Sequence, residues 1–284
     1  MNSANPHSAT FANQDIEAVR DYWNANPLLG FEFDDIGSNR FFEYLDYVKR
    51  SDSDKFAFSY WQFDQFKGRR ILDIGCGPGW LAVQYALGGA EVTAVDLTAA
   101  AVDLTRRHAA LRSIELEARV ANAEELPFPD DYFDVVVSSG VLHHTPDTQT
   151  AFREALRVTK PGGNGKITLY RRGMLHSSAI FPMTKMVMRL AGVRHPGGAS
   201  PRQADTVDEF IRRYDGQDNP VGIAKTDRDW VADLSAAGWE VGGREIHFFP
   251  RRFLPFQAWV PEILHALLDR MFGTMAYFDA RKLS

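Results

Sequence analysis

The ten residues ILDIGCGPGW, Ile71 to Trp80, constrain this chain more than any other stretch. The first four read as a buried strand. Gly75, Gly77 and Gly79 then fall within five positions, and the chain turns apolar again. Glycines at that density give up side-chain packing, which is useful where the backbone must turn sharply and approach a ligand. A strand, a glycine loop and a helix start in succession aim backbone N–H groups and the positive end of a helix at one spot.

The surrounding pattern places this turn in a larger frame. RILDI, EVTAVD, DVVVSS and GKITLY read as strands, and LAVQYALGG, AAAVDLTRRHAALR and TAFREALRVT carry helical periodicity between them. Strands joined by helices predict an α/β fold with a parallel sheet. The expected organisation is one domain of 284 residues in four parts. Residues 1–66 form an aromatic-rich helical cap, 67–170 a cofactor-binding core, 171–225 an inserted lid, and 226–284 the completion of the sheet. In the last part, TDRDWVADLSAAG reads as a helix capped by Thr226 or Asp227, EVGGREIHFF as a strand and MAYFDARK as another.

Composition narrows the function. A net charge of -5 makes a poor nucleic-acid binder. The single cysteine, Cys76, allows neither an internal disulfide nor a cysteine metal cluster, and no metal is expected. Residues 1–15 lack a charged-then-apolar leader pattern, and Met174 to Val193 is interrupted by His176, Pro182, Lys185 and Arg189. A cytoplasmic protein with no membrane partner is expected.

Spacing separates the possible ligands. A dinucleotide fingerprint would need a third glycine where Trp80 stands, and no Lys-Ser or Lys-Thr pair follows to make a phosphate loop. Asp96 ends the second strand, where an acid accepts hydrogen bonds from ribose hydroxyls. Asp73 sits just before the loop, where its carboxylate would repel a pyrophosphate but suits an ammonium group. A ribonucleoside joined to an amino acid carries both features, and S-adenosylmethionine is such a molecule.

Four motifs in order, ILDIGCGPG, VTAVDLT, ANAEELPFPDDYFDVVVSSGVLHHTPD and KPGGNGKITLY, resemble the class I S-adenosylmethionine-dependent methyltransferases from Ile71 to Tyr170. The resemblance implies a Rossmann-like, doubly wound, mostly parallel seven-stranded sheet, with S-adenosylmethionine as cofactor and S-adenosylhomocysteine as product. By the same analogy Asp73, Gly75, Gly77 and Gly79 lie under the methionine and ribose. Asp96 holds the ribose, and Leu97 flanks the adenine. Asn122, Ala123 and Glu124 face the adenine side, with Asn122 where many members have Asp. Ser138 and Ser139 end the strand beside the reacting methyl. DYWNANP resembles a segment that closes over the cofactor in part of the family, which points to Tyr22 and Trp23.

The resemblance implies transfer of a methyl group to a small-molecule acceptor. The alternative is a cofactor-binding protein that transfers no methyl. Positioning can lower such a barrier by about 7–11 kcal/mol, and a general base adds about 100- to 10,000-fold where the nucleophile carries a proton. His143 and His144 are the candidate bases, although the family turn that VLHH resembles implies a packing or hydrogen-bonding role for the second. From Arg171 to Arg213 the chain has eight basic residues against three acidic ones, along with four methionines. An apolar wall with basic accents suits an acceptor with an apolar body and an acidic group. Tyr170, Arg171 and Arg172 are its candidate contacts, because they follow a strand directly.

Overall fold

The computed structural model describes residues 16–28, 33, 35–177, 179–190, 206–216, 218–251, 254 and 259–284. Five strands run in chain order as β1 (Arg70–Ile74), β2 (Glu91–Asp96), β3 (Glu117–Val120), β4 (Phe133–Ser139) and β5 (Thr159–Tyr170). They are followed by β6 (Trp239–His247) and β7 (Met275–Lys282). All seven join one sheet in the order β3-β2-β1-β4-β5-β7-β6. The first five are parallel, and β7 runs antiparallel to both β5 and β6. This is the seven-stranded Rossmann-like sheet that the motif order implies. The strand β3 was not expected. Its sequence, EARV, is short and alternates charged with apolar residues, as befits an edge strand with only one partner.

Helices α1 (Ile16–Ala25) and α2 (Asn39–Val48) precede the sheet. The connections within it are α3 (Trp80–Leu87), α4 (Ala99–Leu111) and α5 (Thr148–Val158). Then come α6 (Phe181–Leu190), α7 (Val207–Arg212), α8 (Asp227–Ala236) and α9 (Glu262–Phe272). The predicted cap of α8 is Thr226, whose hydroxyl accepts from the Asp229 N–H at 3.2 Å. Each face of the sheet buries its own apolar layer. One side packs Phe41, Leu45, Trp61, Trp80 and Tyr85, and the other packs Phe152, Trp230, Leu234 and Phe278.

Trp80 begins α3 with only 3 % of its surface exposed, and its indole donates to Asp46 of α2 at 3.0 Å. The bulky residue at the third-glycine position therefore ties the N-terminal helices to the glycine turn. Parts of the expected lid, including Val193, Arg194 and Arg202, lie outside the described residues, as do residues 1–15. Among the described residues of 171–225, Phe181, Phe210, Ile211 and Ala224 form a small apolar cluster against Tyr170.

Strand order reverses between β1 and β4, because β2 and β3 lie on one side of β1 and β4 and β5 on the other. Open α/β sheets bind ligands in the crevice at such a point, beyond the strands' C-terminal ends. The glycine turn, Asp96 and Ser139 all stand there.

Candidate active site

Beyond these strand ends lies a cavity of about 580 Å³. The glycine turn forms its floor. Asp96 braces that turn from the next strand. One carboxylate oxygen accepts from the Gly77 N–H at 3.0 Å, and the other accepts from the Thr98 N–H and hydroxyl, each at 2.9 Å. Burial raises the proton affinity of Asp96, and these donors oppose the rise. Gly75 and Gly77 have φ of 75° and 52°, the left-handed region that favours glycine. A Cβ on Gly75 would stand 2.3 Å from the Val141 methyls, whereas one on Gly77 would meet no protein atom within 4 Å. Gly77 thus leaves open room beside Asp96.

Asp73 is 1 % exposed, and its Oδ2 has no hydrogen-bond partner. Burial, and then the neighbouring charge of Asp96, push its carboxyl up to about 7. An orphaned buried carboxylate is costly unless a donor or cation meets it. The residues present therefore fit S-adenosylmethionine, with Asp73 offering an acceptor to an ammonium group and Asp96 to a ribose.

Eleven of the expected site residues line this cavity. They are Trp23, Asp73, Gly75, Gly77, Asp96, Leu97, Asn122, Ala123, Ser139, His144 and Tyr170. The Oδ1 of Asn122 accepts from the Glu124 N–H at 3.0 Å, so the residue is held in a local turn.

Seven others do not line it, each for a visible reason. Gly79 packs α3 on α4, where a Cβ would stand 2.9 Å from the Thr105 Cα. Glu124 accepts from the Asp147 N–H at the start of α5, and Ser138 donates to the Ile74 carbonyl inside the sheet. Tyr22 turns away to donate to the Asp215 carbonyl at 2.7 Å. His143 is fully buried with neither ring nitrogen hydrogen-bonded, and burial holds its proton affinity well below normal. Arg171 faces Asp227 at 3.6 Å and donates to the Gly273 carbonyl, and Arg172 pairs with Asp208. Both arginine forks are thus spent on the protein's own groups rather than on the cavity.

His144 is the histidine that reaches the cavity. Its Nδ1 donates to the Val221 carbonyl at 2.6 Å, and its Nε2 stands 3.4 Å from Asp215 Oδ2. Asp215, which also lines the cavity, lies in a turn at 213–215 that follows α7. Both of its carboxylate oxygens accept from the Tyr170 hydroxyl at 2.8 Å. Sequence reasoning missed Asp215. It stands in an Asp-Gly turn of ordinary appearance, and only folding brings it to His144.

Among the described residues there is no cluster of His, Cys, Asp or Glu able to hold a metal, and no helix long and apolar enough to cross a membrane. Cys76 is buried, and its thiol accepts from Thr105 at 3.2 Å.

Comparison with known proteins agrees with this geometry. Residues 72–165 match a family model described as a methyltransferase domain. A ubiquinone biosynthesis O-methyltransferase from Alkalilimnicola ehrlichii is 43 % identical over 99 residues, which is 34 % of this chain and 40 % of that protein. One from Xanthomonas oryzae is 39 % identical over 146 residues, 51 % of this chain and 57 % of that protein. The chain therefore spans about half the length of the curated relatives it matches. Among solved structures, an S-adenosylmethionine-dependent methyltransferase from Mesorhizobium loti superposes with a TM-score of 0.53 at 22 % identity, covering 79 % of this chain and 97 % of that one. The [4+2]-cyclase SpnF gives 0.52 at 22 % identity, covering 77 % and 76 %. These structural likenesses speak for the fold. The matched domain and the four ordered motifs make residues 72–165 similar to a methyltransferase domain.

Proposed function

We propose that this chain transfers a methyl group from S-adenosylmethionine to a hydroxyl of a small apolar molecule. One observation carries the reading: Asp73, with its unpartnered Oδ2, and the braced Asp96 line the same cavity as His144. Asp73 would hold the ammonium group and Asp96 the ribose hydroxyls. Leu97, Asn122 and Ala123 would flank the adenine, Ser139 would border the methionine end, and Trp23 would close over it. When bound, S-adenosylmethionine supplies an electrophilic methyl group: the acceptor gains the methyl and sheds one proton, and the sulfur keeps the bonding pair.

The acceptor's character follows from the rest of the wall. Leu28, Val48, Tyr214, Phe248 and Met275 also line the cavity, which supports an acceptor with an apolar body. The relatives named O-methyltransferases support oxygen as the atom methylated. An acidic group held by Arg171 or Arg172 is not part of this reading, because both side chains are engaged elsewhere. Residues 1–66 would serve as the cap and 171–225 as the lid over a small-molecule site.

The first test is calorimetric titration with S-adenosylhomocysteine, followed by labelled S-adenosylmethionine offered with phenols, catechols and hydroxy acids. Binding without transfer to any acceptor would favour the other reading, a cofactor-binding protein that moves no methyl. The fold leaves room for that reading, since a [4+2]-cyclase shares it. No binding of S-adenosylhomocysteine would remove both.

A further inference from the structure

We propose that Phe248 sets how bulky an acceptor the cavity admits, and that Asp269 and Thr274 are the positioning residues that hold its ring in the wall. The inference rests on the methyl-transfer reading and adds to it a specificity-determining side chain and the groups that fix it.

Phe248 follows the last residue of β6 and has a φ of 73°. A bulky side chain seldom adopts this left-handed region, and it persists only where the surroundings impose it. Here one carboxylate holds the residues on both sides. The Oδ2 of Asp269, on α9, lies 2.6 Å from His247 Nδ1, and its Oδ1 accepts from the Phe249 N–H at 2.9 Å. His247 and Asp269 are both buried, and His247 Nε2 lies 3.1 Å from Glu245 Oε2. Burial by itself lowers the proton affinity of His247, but the bonds to Asp269 and Glu245 outweigh it, and the net effect is a rise. Breaking a buried charged pair is costly, so this clamp is stiff.

The next ties come from the far side of the turn. The Phe248 carbonyl accepts from the Thr274 N–H at 3.2 Å and from its hydroxyl at 3.0 Å. The Phe249 carbonyl accepts from His265 Nε2 at 2.8 Å. Thr274 directly precedes β7, whose Met275 is in register with His247. Three consecutive residues are thus tied to α9 and to the start of β7. The backbone at Phe248 cannot relax to an ordinary φ without giving up several of these bonds.

The strained conformation sets a direction. The Phe249 ring packs on Phe272 of α9, with centroids 6.0 Å apart. The Phe248 ring lines the cavity instead and meets Tyr214 edge-on at 6.3 Å and 74°. Tyr214 meets Tyr170 in the same manner at 6.0 Å and 79°. The three rings touch in succession, and all three line the cavity. Such edge-to-face contacts favour fixed ring geometry. A ring anchored through its backbone on one side and by a neighbouring ring on the other cannot swing aside for a branched substituent. Flat, slender acceptors fit such a boundary, and bulky ones meet it. Neither Asp269 nor Thr274 lines the cavity, so both act on the acceptor through Phe248.

The test uses the full chain saturated with S-adenosylhomocysteine and two probes, catechol and 4-tert-butylcatechol, whose affinities are measured by calorimetry. Phe248→Ala should move the ratio of the two affinities toward the bulkier probe by at least about tenfold, the usual scale of discrimination by an apolar pocket. Asp269→Asn and Thr274→Val should move the ratio the same way by a smaller factor, although neither side chain meets the probe. A purely structural role would lower the unfolding temperature and leave the ratio unmoved. Two positioning variants guard against one failing to fold, and retained S-adenosylhomocysteine affinity certifies each. An unmoved ratio in Phe248→Ala overturns the inference. So does a wild-type ratio in the folded positioning variants, or failure of both probes to bind while S-adenosylhomocysteine binds. Failure of S-adenosylhomocysteine itself to bind would instead overturn the methyl-transfer reading on which the inference stands.

Discussion

Gly216 lies directly under Tyr22: a Cβ on the glycine would stand 2.1 Å from the Tyr22 hydroxyl oxygen. The φ of Gly216 is 143°, a conformation that side chains strain to adopt. This glycine lets α1 close against the turn that presents Asp215. Gly216→Ala should destabilise the fold by about 1–3 kcal/mol through strain and displacement. Tyr22→Phe on the same background should recover part of that loss, since it removes the clashing oxygen. Thermal unfolding of the two single variants and the double variant measures this coupling, and strict additivity would exclude it.

Asp73 sets a pH dependence of known sign. Its carboxyl lies at about 7 in the fold, against about 3.9 in an unfolded chain. The folded state therefore holds a proton that the unfolded state has lost between these values. Its contribution to stability is full below about pH 4 and is lost as the pH rises to about 7. The slope should be at most about 1.4 kcal/mol per pH unit. Asp73→Asn should flatten the curve in that window. The same ionisation should make S-adenosylhomocysteine bind more tightly as pH rises through 7, which titrations across pH can check. Parallel curves for variant and wild type would refute the assignment.

Asp96 joins the glycine loop to the predicted ribose site. Asp96→Ala removes three hydrogen bonds to the protein as well as any to the ligand. Affinity for S-adenosylhomocysteine should fall by about 2–4 kcal/mol, from two charge-assisted bonds. Calorimetry on folded variant decides the point, and undiminished affinity would move the ribose elsewhere.

Arg171 should behave as a structural residue. It faces Asp227 and donates to the Gly273 carbonyl, in a side chain only 14 % exposed. Arg171→Ala should cost about 1–3 kcal/mol of stability, the price of leaving buried groups unpaired. Once an acceptor is identified, its KM should stay unchanged in this variant. A raised KM with normal stability would return Arg171 to the substrate site.

His143 offers a contrast with His144. It is buried, neutral and without hydrogen bonds at either nitrogen. As pH falls below about 6.5 the unfolded chain takes up a proton that the folded imidazole refuses, so stability is lost there. His143→Leu should lessen that acid-side loss and leave S-adenosylhomocysteine binding intact. Urea unfolding at pH 7 and pH 5 provides the comparison, and an equal acid loss in both proteins would count against it.

Local pattern made much of this protein legible. The strand β1, the glycine turn and Asp96 are contiguous signals, and each follows from the chemistry of a few neighbouring residues. The alternation of strands and helices was equally plain, because burial on both faces leaves continuous apolar runs. The exception was β3, whose edge position leaves little apolar signal. Which of two adjacent histidines meets the cavity was not legible. A short turn sends one ring into the core and the other toward Val221 and Asp215, and that depends on the packing of Tyr170 and Val221 around them. The arginines after β5 read as free cations, yet Asp208 and Asp227 from later elements engage both. Sequence by itself determined the sheet, the glycine turn and the acids beside it, because those depend on residues close together in the chain. Tertiary structure alone decided the pairing of His144 with Asp215, because a buried carboxylate finds its partner only after two distant segments have been packed together.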